Sequence, residues 1–181
     1  MSFYKIQTIT LTSTQASINF TSIPSTYDHL VILSNTRRDS SSGTGSGSIQ
    51  FNGDTNTSGN YRHLQMSANS NPGTQTYAAA TSYLELFNVG NSTDTANSFP
   101  QNTIYIWNYS NTDYVKFANS HGSQFNPNGN SYQTMYAGNW GGTAAITSIR
   151  MFPTSGASFI TGSSATLYGI QTSGGTGATV S

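Results

Sequence analysis

Short β-prone runs separated by turn-forming residues occupy nearly the whole chain, and this pattern constrains the fold more than any other feature. The runs are rich in β-branched and aromatic residues, turns recur every ~8–12 residues, and no stretch shows a helical period. The segment Thr103–Tyr109 is the clearest strand, because apolar side chains alternate along both of its faces. The sequence therefore predicts an all-β protein of about ten short strands.

Long polar loops between several of these strands favour one all-β architecture over the others. Ser40–Ser48 and Asn69–Thr76 are too long for the tight hairpins of an up-and-down barrel. No internal repeat of fixed period is present, which argues against a propeller or a β-helix. Leu30–Leu33 is apolar on both faces and is predicted to be a central strand. We therefore expect an antiparallel two-sheet sandwich of the jelly-roll type.

The length of 181 residues suits a single domain with a core of its own. We predict one jelly-roll domain over 1–170, followed by a polar tail of Gly, Ser and Thr over 171–181. Disorder of the main part is excluded because aromatic residues make up 12% of the chain and lie within the β-prone runs. The chain has no cysteine, so disulfides and thiolate metal sites are excluded as well.

The low charge of the chain narrows the range of partners. Only 7% of the residues are charged, and the formal net charge is zero. A nucleic-acid-binding surface needs clustered Lys and Arg to neutralise phosphates, and six basic residues spread along the chain do not supply it. Binding to an anionic membrane is excluded for the same reason, and no apolar run approaches the ~20 residues that span a bilayer. We therefore expect neither nucleic acid nor a membrane as a partner.

Candidate catalytic and metal-binding residues are few and scattered. Glu85 is the only carboxylate in the middle of a predicted strand, whereas glycoside hydrolysis needs two facing carboxylates. The histidines His29, His63 and His121 lack the spacing of metal ligands, and no Gly-x-Ser-x-Gly motif is present. The segment Asn52–Asn56 is explained by a turn rather than by a calcium loop. We therefore predict no enzymatic activity, no cofactor and no bound metal.

Aromatic side chains on the clearest strand are the first candidates for contact with a partner. Tyr105, Trp107 and Tyr109 share one face of this strand, opposite Ile104 and Ile106. The aromatic face either fills the core, forms a seam with a neighbouring subunit, or provides a platform for sugar rings. Because both faces of the strand are apolar, one face can pack inside the domain while the other contacts a neighbour.

Two further features complete the set of predicted contact residues. Arg37, Arg38 and Asp39 follow the predicted central strand and form the densest charge cluster in the chain. They are either a solvated strand end or a docking site for an acidic patch, since Arg pairs with carboxylates bidentately. The remaining candidate is Trp140, which, like Trp107, would favour glycan binding if it lay exposed beside Asn or Gln side chains.

An ordered series of short motifs extends from about Ile6 to Ile170. Each motif is a strand with its turn, and only their shared order is specific. The motifs are Ser17–Pro24, Tyr27, Leu30–Leu33, Phe51–Asp54, Asn60-Tyr61, Asn97–Phe99, Ile104–Ile106, Asn108-Tyr109, Trp140, Thr143–Ile149 and Ala165–Ile170. In this order they resemble the small jelly-roll structural proteins of tailed bacteriophages.

The resemblance implies a virion component, either a capsid decoration (cement) protein or a related head module of a tail fibre. We expect the decoration protein: a homotrimer on the outer surface of the capsid that binds the major capsid protein and stabilises the shell. The contacts are predicted to come from the loops Arg37–Gly47 and Asn69–Gln75 and from the tail beginning at Gln171. The alternative is a tail-fibre or receptor-binding module that recognises a host surface glycan. The family offers no catalytic residues.

Overall fold

The computed structural model of the protein describes residues 1–41, 45–58, 60–68, 74–125 and 131–172. Within these residues the regular elements are twelve β-strands, arranged in an eight-stranded and a four-stranded antiparallel sheet. The strands are β1 (Ser2–Thr10), β2 (Ile18–Phe20), β3 (His29–Asn35), β4 (Ser46–Phe51), β5 (Tyr61–Ala68), β6 (Thr74–Thr81), β7 (Leu84–Asn88), β8 (Gln101–Trp107), β9 (Lys116–Phe125), β10 (Ser131–Trp140), β11 (Ile149–Pro153) and β12 (Ser164–Gln171).

Eight of these strands have the connectivity of a jelly roll. The strands β1-β12-β3-β8 belong to the large sheet, the strands β2-β11-β4-β7 form the small sheet, and most connections cross from one sheet to the other. The remaining strands come as two pairs, β5–β6 and β9–β10, which extend the large sheet beyond β8. The predicted two-sheet sandwich is confirmed, with two strands more than expected.

The core lies between the two sheets and is built from alternate residues of their strands. Leu30 and Ile32 of β3 point inward, as do Ile104 and Ile106 of the neighbouring β8, and all four are fully buried. Buried apolar side chains of the small sheet pack against these four residues. They include Ile18, Phe20, Ile49, Phe51 and Met151. Burial of such side chains stabilises the sandwich by about 1.5–3 kcal/mol each.

The large sheet has an outer face that no other element of the described chain covers. We call the outward-facing side chains of β1, β12, β3, β8, β9, β10 and β5 the outer face. The register places Leu33, Thr103 and His121 in one row of this face, and Tyr105 and Asn119 in the next. Because the small sheet has only four strands, it also leaves the first strand of the large sheet largely exposed on both sides.

The end of the domain differs slightly from the predicted boundary at residue 170. β12 continues to Gln171, and the backbone N–H of Thr172 donates to the Asp28 carboxylate at 2.6 Å. The rest of the predicted tail, 173–181, lies outside the described residues, as do 42–44 and 69–73 of the loops predicted to contact neighbours. Residues 74–75 of the second loop belong to β6 instead.

Candidate functional site

The two arginines of the charge cluster after β3 turn inward and are buried. Arg37 is buried, and its guanidinium donates to three backbone carbonyls in the loop between β7 and β8. The three acceptors are the carbonyl oxygens of Ser92 at 3.0 Å, Asp94 at 2.8 Å and Thr95 at 3.1 Å. A guanidinium with this many donors suits a loop whose carbonyls have no strand partner. Arg37, predicted to contact a partner, therefore uses its side chain to hold this loop in place.

Arg38 is also withdrawn from the surface. Its side chain is fully buried, and Nε donates to Asn91 Oδ1 at 2.8 Å. Burial lowers the pKa of Arg38, and the carboxylates of Asp94 and Asp39 partly oppose this shift. Asp39 itself is exposed, and its carboxylate accepts a hydrogen bond from the Ser158 backbone at 3.0 Å. Arg38, predicted to dock on a partner, is thus used inside the domain, whereas Asp39 lies at the surface and its contact with a partner stays a prediction.

Tyr109 and Trp140, two further predicted contact residues, are core residues as well. The Tyr109 hydroxyl donates to the Pro24 carbonyl and accepts from the Tyr27 backbone N–H, while the ring is fully buried. Trp140 is 4% exposed, and its indole N–H donates to the Asp54 carboxylate at 2.6 Å. Buried aromatic side chains with polar tips find such partners inside the domain. Neither residue offers surface to a partner.

The turn after β4 explains why Asp54 lies beneath Trp140. Asn52 and Gly53 both have positive φ, of 53° and 68°, as a tight turn requires, and the turn closes with a hydrogen bond from Asp54 N to Phe51 O at 2.9 Å. The Asp54 carboxylate also accepts from the Asn56 backbone and the Asn60 side chain. Burial raises the pKa of Asp54, but these hydrogen bonds and that from the indole outweigh it and lower the pKa.

Tyr105 and Trp107 are the two predicted aromatic residues that the structure brings together on the outer face. Their rings stack with centroids 5.7 Å apart and an interplanar angle of 11°. The indole also meets the His29 ring edge-on at 5.0 Å, and its N–H donates to Asn119 Oδ1 at 2.6 Å. Trp107 is 37% exposed in this position. These contacts hold a tryptophan rigidly at the surface, where it is available to a partner.

A concave site beside Trp107 contains residues that the sequence analysis did not identify. We call it the aromatic cleft; it has a volume of about 410 Å³. Phe117 of β9 lies directly across from Trp107 and is 57% exposed. The principal side chains of its wall are those of Arg62, Leu64, Trp107, Phe117, Asn119 and Asn139. Phe117 could have been identified from the alternation of side chains along β9, because Lys116 points inward and the next residue, Phe117, points outward.

The outer face carries basic but no acidic side chains. Its charged residues are Lys5 of β1 and Arg62 of β5, both exposed. Of the six carboxylates of the chain, five lie in loops or turns and Glu85 lies on β7 of the small sheet. A second concavity, about 510 Å³ in volume, lies further along the outer face. It is lined mainly by uncharged polar side chains, among them Asn35, Gln101, Thr103, Ser123 and Gln133.

Glu85 has a titratable neighbour in the space between the sheets. The Nε2 atom of His63 lies 3.9 Å from the Glu85 carboxylate, and the His63 ring stacks on Tyr83 at 6.4 Å. Burial lowers the pKa of His63 and raises the pKa of Glu85. The imidazole is therefore neutral at pH 7, and the 3.9 Å approach is too long for a hydrogen bond. In the described part of the chain, no second carboxylate lies beside this pair.

Replacing Glu85 by glutamine should stabilise the protein at neutral pH and leave it unchanged in acid. The raised folded pKa means that Glu85 costs no stability below its unfolded pKa of about 4.5. Stability is lost as the pH rises above that value, because the folded state must then hold a carboxylate that is only partly exposed to water. We expect a melting temperature roughly 2–4 °C higher at pH 7.5 and equal at pH 4. A variant less stable than wild type at pH 7.5 would show that the carboxylate is paired.

The described residues contain no group of three or more His, Asp or Glu side chains placed to hold a metal ion. Likewise, no helix in the described part of the chain has the length and hydropathy to cross a membrane. Comparison with known proteins gives no match: no family model, no curated protein and no solved structure is significantly similar to this chain.

Proposed function

We propose that this protein is a non-enzymatic structural component of a bacteriophage virion. In this proposal it is a capsid decoration protein that binds the outer surface of the head as a homotrimer and stabilises the shell. The observation that carries the proposal is the open edge of the large sheet, formed by β1. The jelly-roll topology is also the one that the sequence resemblance to phage structural proteins implies.

β1 is a long edge strand with little protection against pairing. Seven of its nine residues are exposed, and among the described residues its only strand partner is β12. Phe3 is 56% exposed on one side of the strand and Tyr4 is 45% exposed on the other. Soluble proteins usually protect such edges with several charges or a proline, whereas β1 carries Lys5 and one irregularity between Lys5 and Gln7. An edge of this kind favours contact with another chain.

A second copy of the same chain is the partner that fits this edge best. The net charge of zero means that copies do not repel each other over distance. A contact between β1 of one copy and a different surface of the next is heterologous, and such contacts close into a ring when the rotation between copies is a whole fraction of a turn, here one third. A ring of three copies presents each of its surfaces three times, so modest contacts with the capsid add through avidity.

The carboxylates of the protein support contact rather than catalysis as its role. Asp28, Asp39, Asp54 and Asp94 all accept hydrogen bonds from backbone or side-chain groups of the same domain. A catalytic pair would instead face a common space from rigid elements. These carboxylates hold the loops in place by hydrogen bonds. Ordered loops give the protein a defined contact surface, and a shell component needs no cofactor for that role.

Recognition of a host surface glycan is the second candidate function. Trp107 is exposed beside Asn119, which is the arrangement expected of a sugar-binding platform. In that case the chain would belong to a tail fibre or another receptor-binding part of the virion. The two functions differ in the location of the protein, so they can be separated on intact particles.

Cryo-electron microscopy of the particle that contains this chain tests the proposal. We expect three-fold knobs of density on the outside of the head, into which three copies of the jelly roll fit. Density confined to a tail fibre or tail tip would favour the receptor-binding role instead. Absence of the protein from purified particles would contradict both, since each requires a virion component.

A further inference from the structure

We propose that the aromatic cleft binds a carboxylated sugar, with a pyranose ring against Trp107 and Phe117 and the sugar carboxylate on Arg62. The inference rests on the second candidate function, glycan recognition, and does not depend on assembly through β1.

The two aromatic walls suit the apolar face of a sugar ring. Trp107 and Phe117 are opposite each other in the register of β8 and β9, and both are more than one-third exposed. A pyranose has a face of C–H groups that packs on aromatic rings, and hydroxyls around its rim that need hydrogen bonds. The cleft volume of about 410 Å³ lies within the range of ligand sites, which is roughly 300–1,000 Å³.

Amide side chains lie beside these walls and can serve the hydroxyl groups. Asn119 accepts from the Trp107 indole through Oδ1, which orients its Nδ2 group as a donor at the cleft. Asn139 of β10 lies across from Phe117 and also lines the cleft. Trp107 is held by the Tyr105 and His29 rings, so little conformational entropy is lost when a ring packs on it.

Arg62 selects the charge of the ligand. It is an exposed residue of β5, lies opposite Asn139, and forms no ion pair with a carboxylate in the described part of the chain. No acidic side chain lies on the strands of the large sheet, so nothing on this face repels an anion. Guanidinium groups bind carboxylates through two parallel hydrogen bonds. A uronate unit therefore matches the cleft better than the corresponding neutral sugar.

Tryptophan fluorescence gives a direct readout of the cleft. The chain has two tryptophans, and Trp140 is buried, so a saturable change in emission reports Trp107. We expect such a change with tri-galacturonate in about 0.15 M salt, and at least tenfold weaker binding of galactotriose. Calorimetry measures the same affinities without relying on Trp107, so it also serves for variants.

Variants separate the parts of the site. Arg62→Gln should reduce the affinity for tri-galacturonate to that for galactotriose, and Trp107→Ala should weaken both at least tenfold. Tyr114→Ala, at an exposed residue outside the cleft, should change neither affinity. Absence of calorimetric binding to either sugar at about 1 mM would overturn the site, and equal affinities for the two sugars would overturn the role of Arg62. None of these outcomes depends on whether the protein decorates the head.

Discussion

Replacing Lys116 by methionine should lower the free energy of unfolding by about 3 kcal/mol. Lys116 is fully buried at the start of β9, and its ammonium donates to the backbone carbonyls of Asn111, Tyr114 and Thr143. These three hydrogen bonds join the β8–β9 turn to the segment after β10. Methionine keeps most of the length of the side chain but leaves the carbonyls without a donor.

The desolvation of the ammonium limits the size of this effect. Burial lowers the pKa of Lys116, and the nearby Asp113 partly opposes that shift. Burying the ammonium costs free energy, which its hydrogen bonds to three carbonyls offset. The substitution therefore lowers the free energy of unfolding by less than the sum of three charge-assisted hydrogen bonds. Because the variant removes the charge as well as the donors, it avoids leaving a buried ion unpaired.

Urea unfolding followed by circular dichroism measures the difference between Lys116→Met and wild type. Lys5→Met is the matched control, since Lys5 is the only other lysine and is exposed on β1. It should change the free energy of unfolding by no more than about 0.5 kcal/mol. Both variants are compared at concentrations where the midpoint is independent of protein concentration, so that assembly does not contribute. Equal effects of the two substitutions would contradict a structural role for the buried ammonium.

The sequence was sufficient to predict the layered fold because strand periodicity and turn chemistry are local signals. The alternation in β8 and the apolar run in β3 identify two central strands, and the structure pairs them directly. β6 was missed because Thr74–Thr81 contains three alanines and has weak intrinsic β-propensity. It becomes a strand by pairing along most of β5, which is a tertiary effect that local propensity does not report.

The individual contact residues were harder to predict. The burial of a side chain at a strand end depends on which distant segment of the chain folds over it. Arg37 and Arg38 form a charged pair in sequence, yet the loop before β8 folds over them and uses their donors. Trp140 ends β10 above Asp54, which is 86 residues earlier in the chain. Such long-range partners leave no local pattern, whereas the outward position of Trp107 follows from the alternation of its own strand.

The aromatic cleft could not be predicted for the same reason, because it too is formed by residues that are distant in the sequence. Its walls come from β5, β8, β9 and β10, which meet only through the insertion of two strand pairs beyond the jelly-roll core. Arg62 and Phe117 are 55 positions apart and looked unremarkable in sequence. The register of three strand pairings brings them to one surface. The outward position of Trp107 could therefore be predicted from the alternation of β8 alone. The aromatic cleft could not, because its walls come from four strands.

Phe3→Asp should abolish assembly of the protein while leaving its fold intact. Phe3 is exposed on the edge strand, so the substitution costs the monomer little. In an assembly that uses this edge, the new carboxylate would be buried without a partner, which costs several kcal/mol at each contact. A trimer has three such contacts, so the effect is repeated three times. Phe125→Asp is the matched control, because Phe125 is 46% exposed but lies at the far end of β9.

Sedimentation velocity of the purified protein tests the claim that this chain works by assembly through β1. The wild-type protein and Phe125→Asp should each sediment as one species of roughly 58 kDa, three copies of the 19.3 kDa chain. Phe3→Asp should sediment as a 19.3 kDa monomer with the circular dichroism spectrum of the wild type. A wild-type protein that remains monomeric at micromolar concentration, or a Phe3→Asp variant that remains trimeric, would contradict the claim.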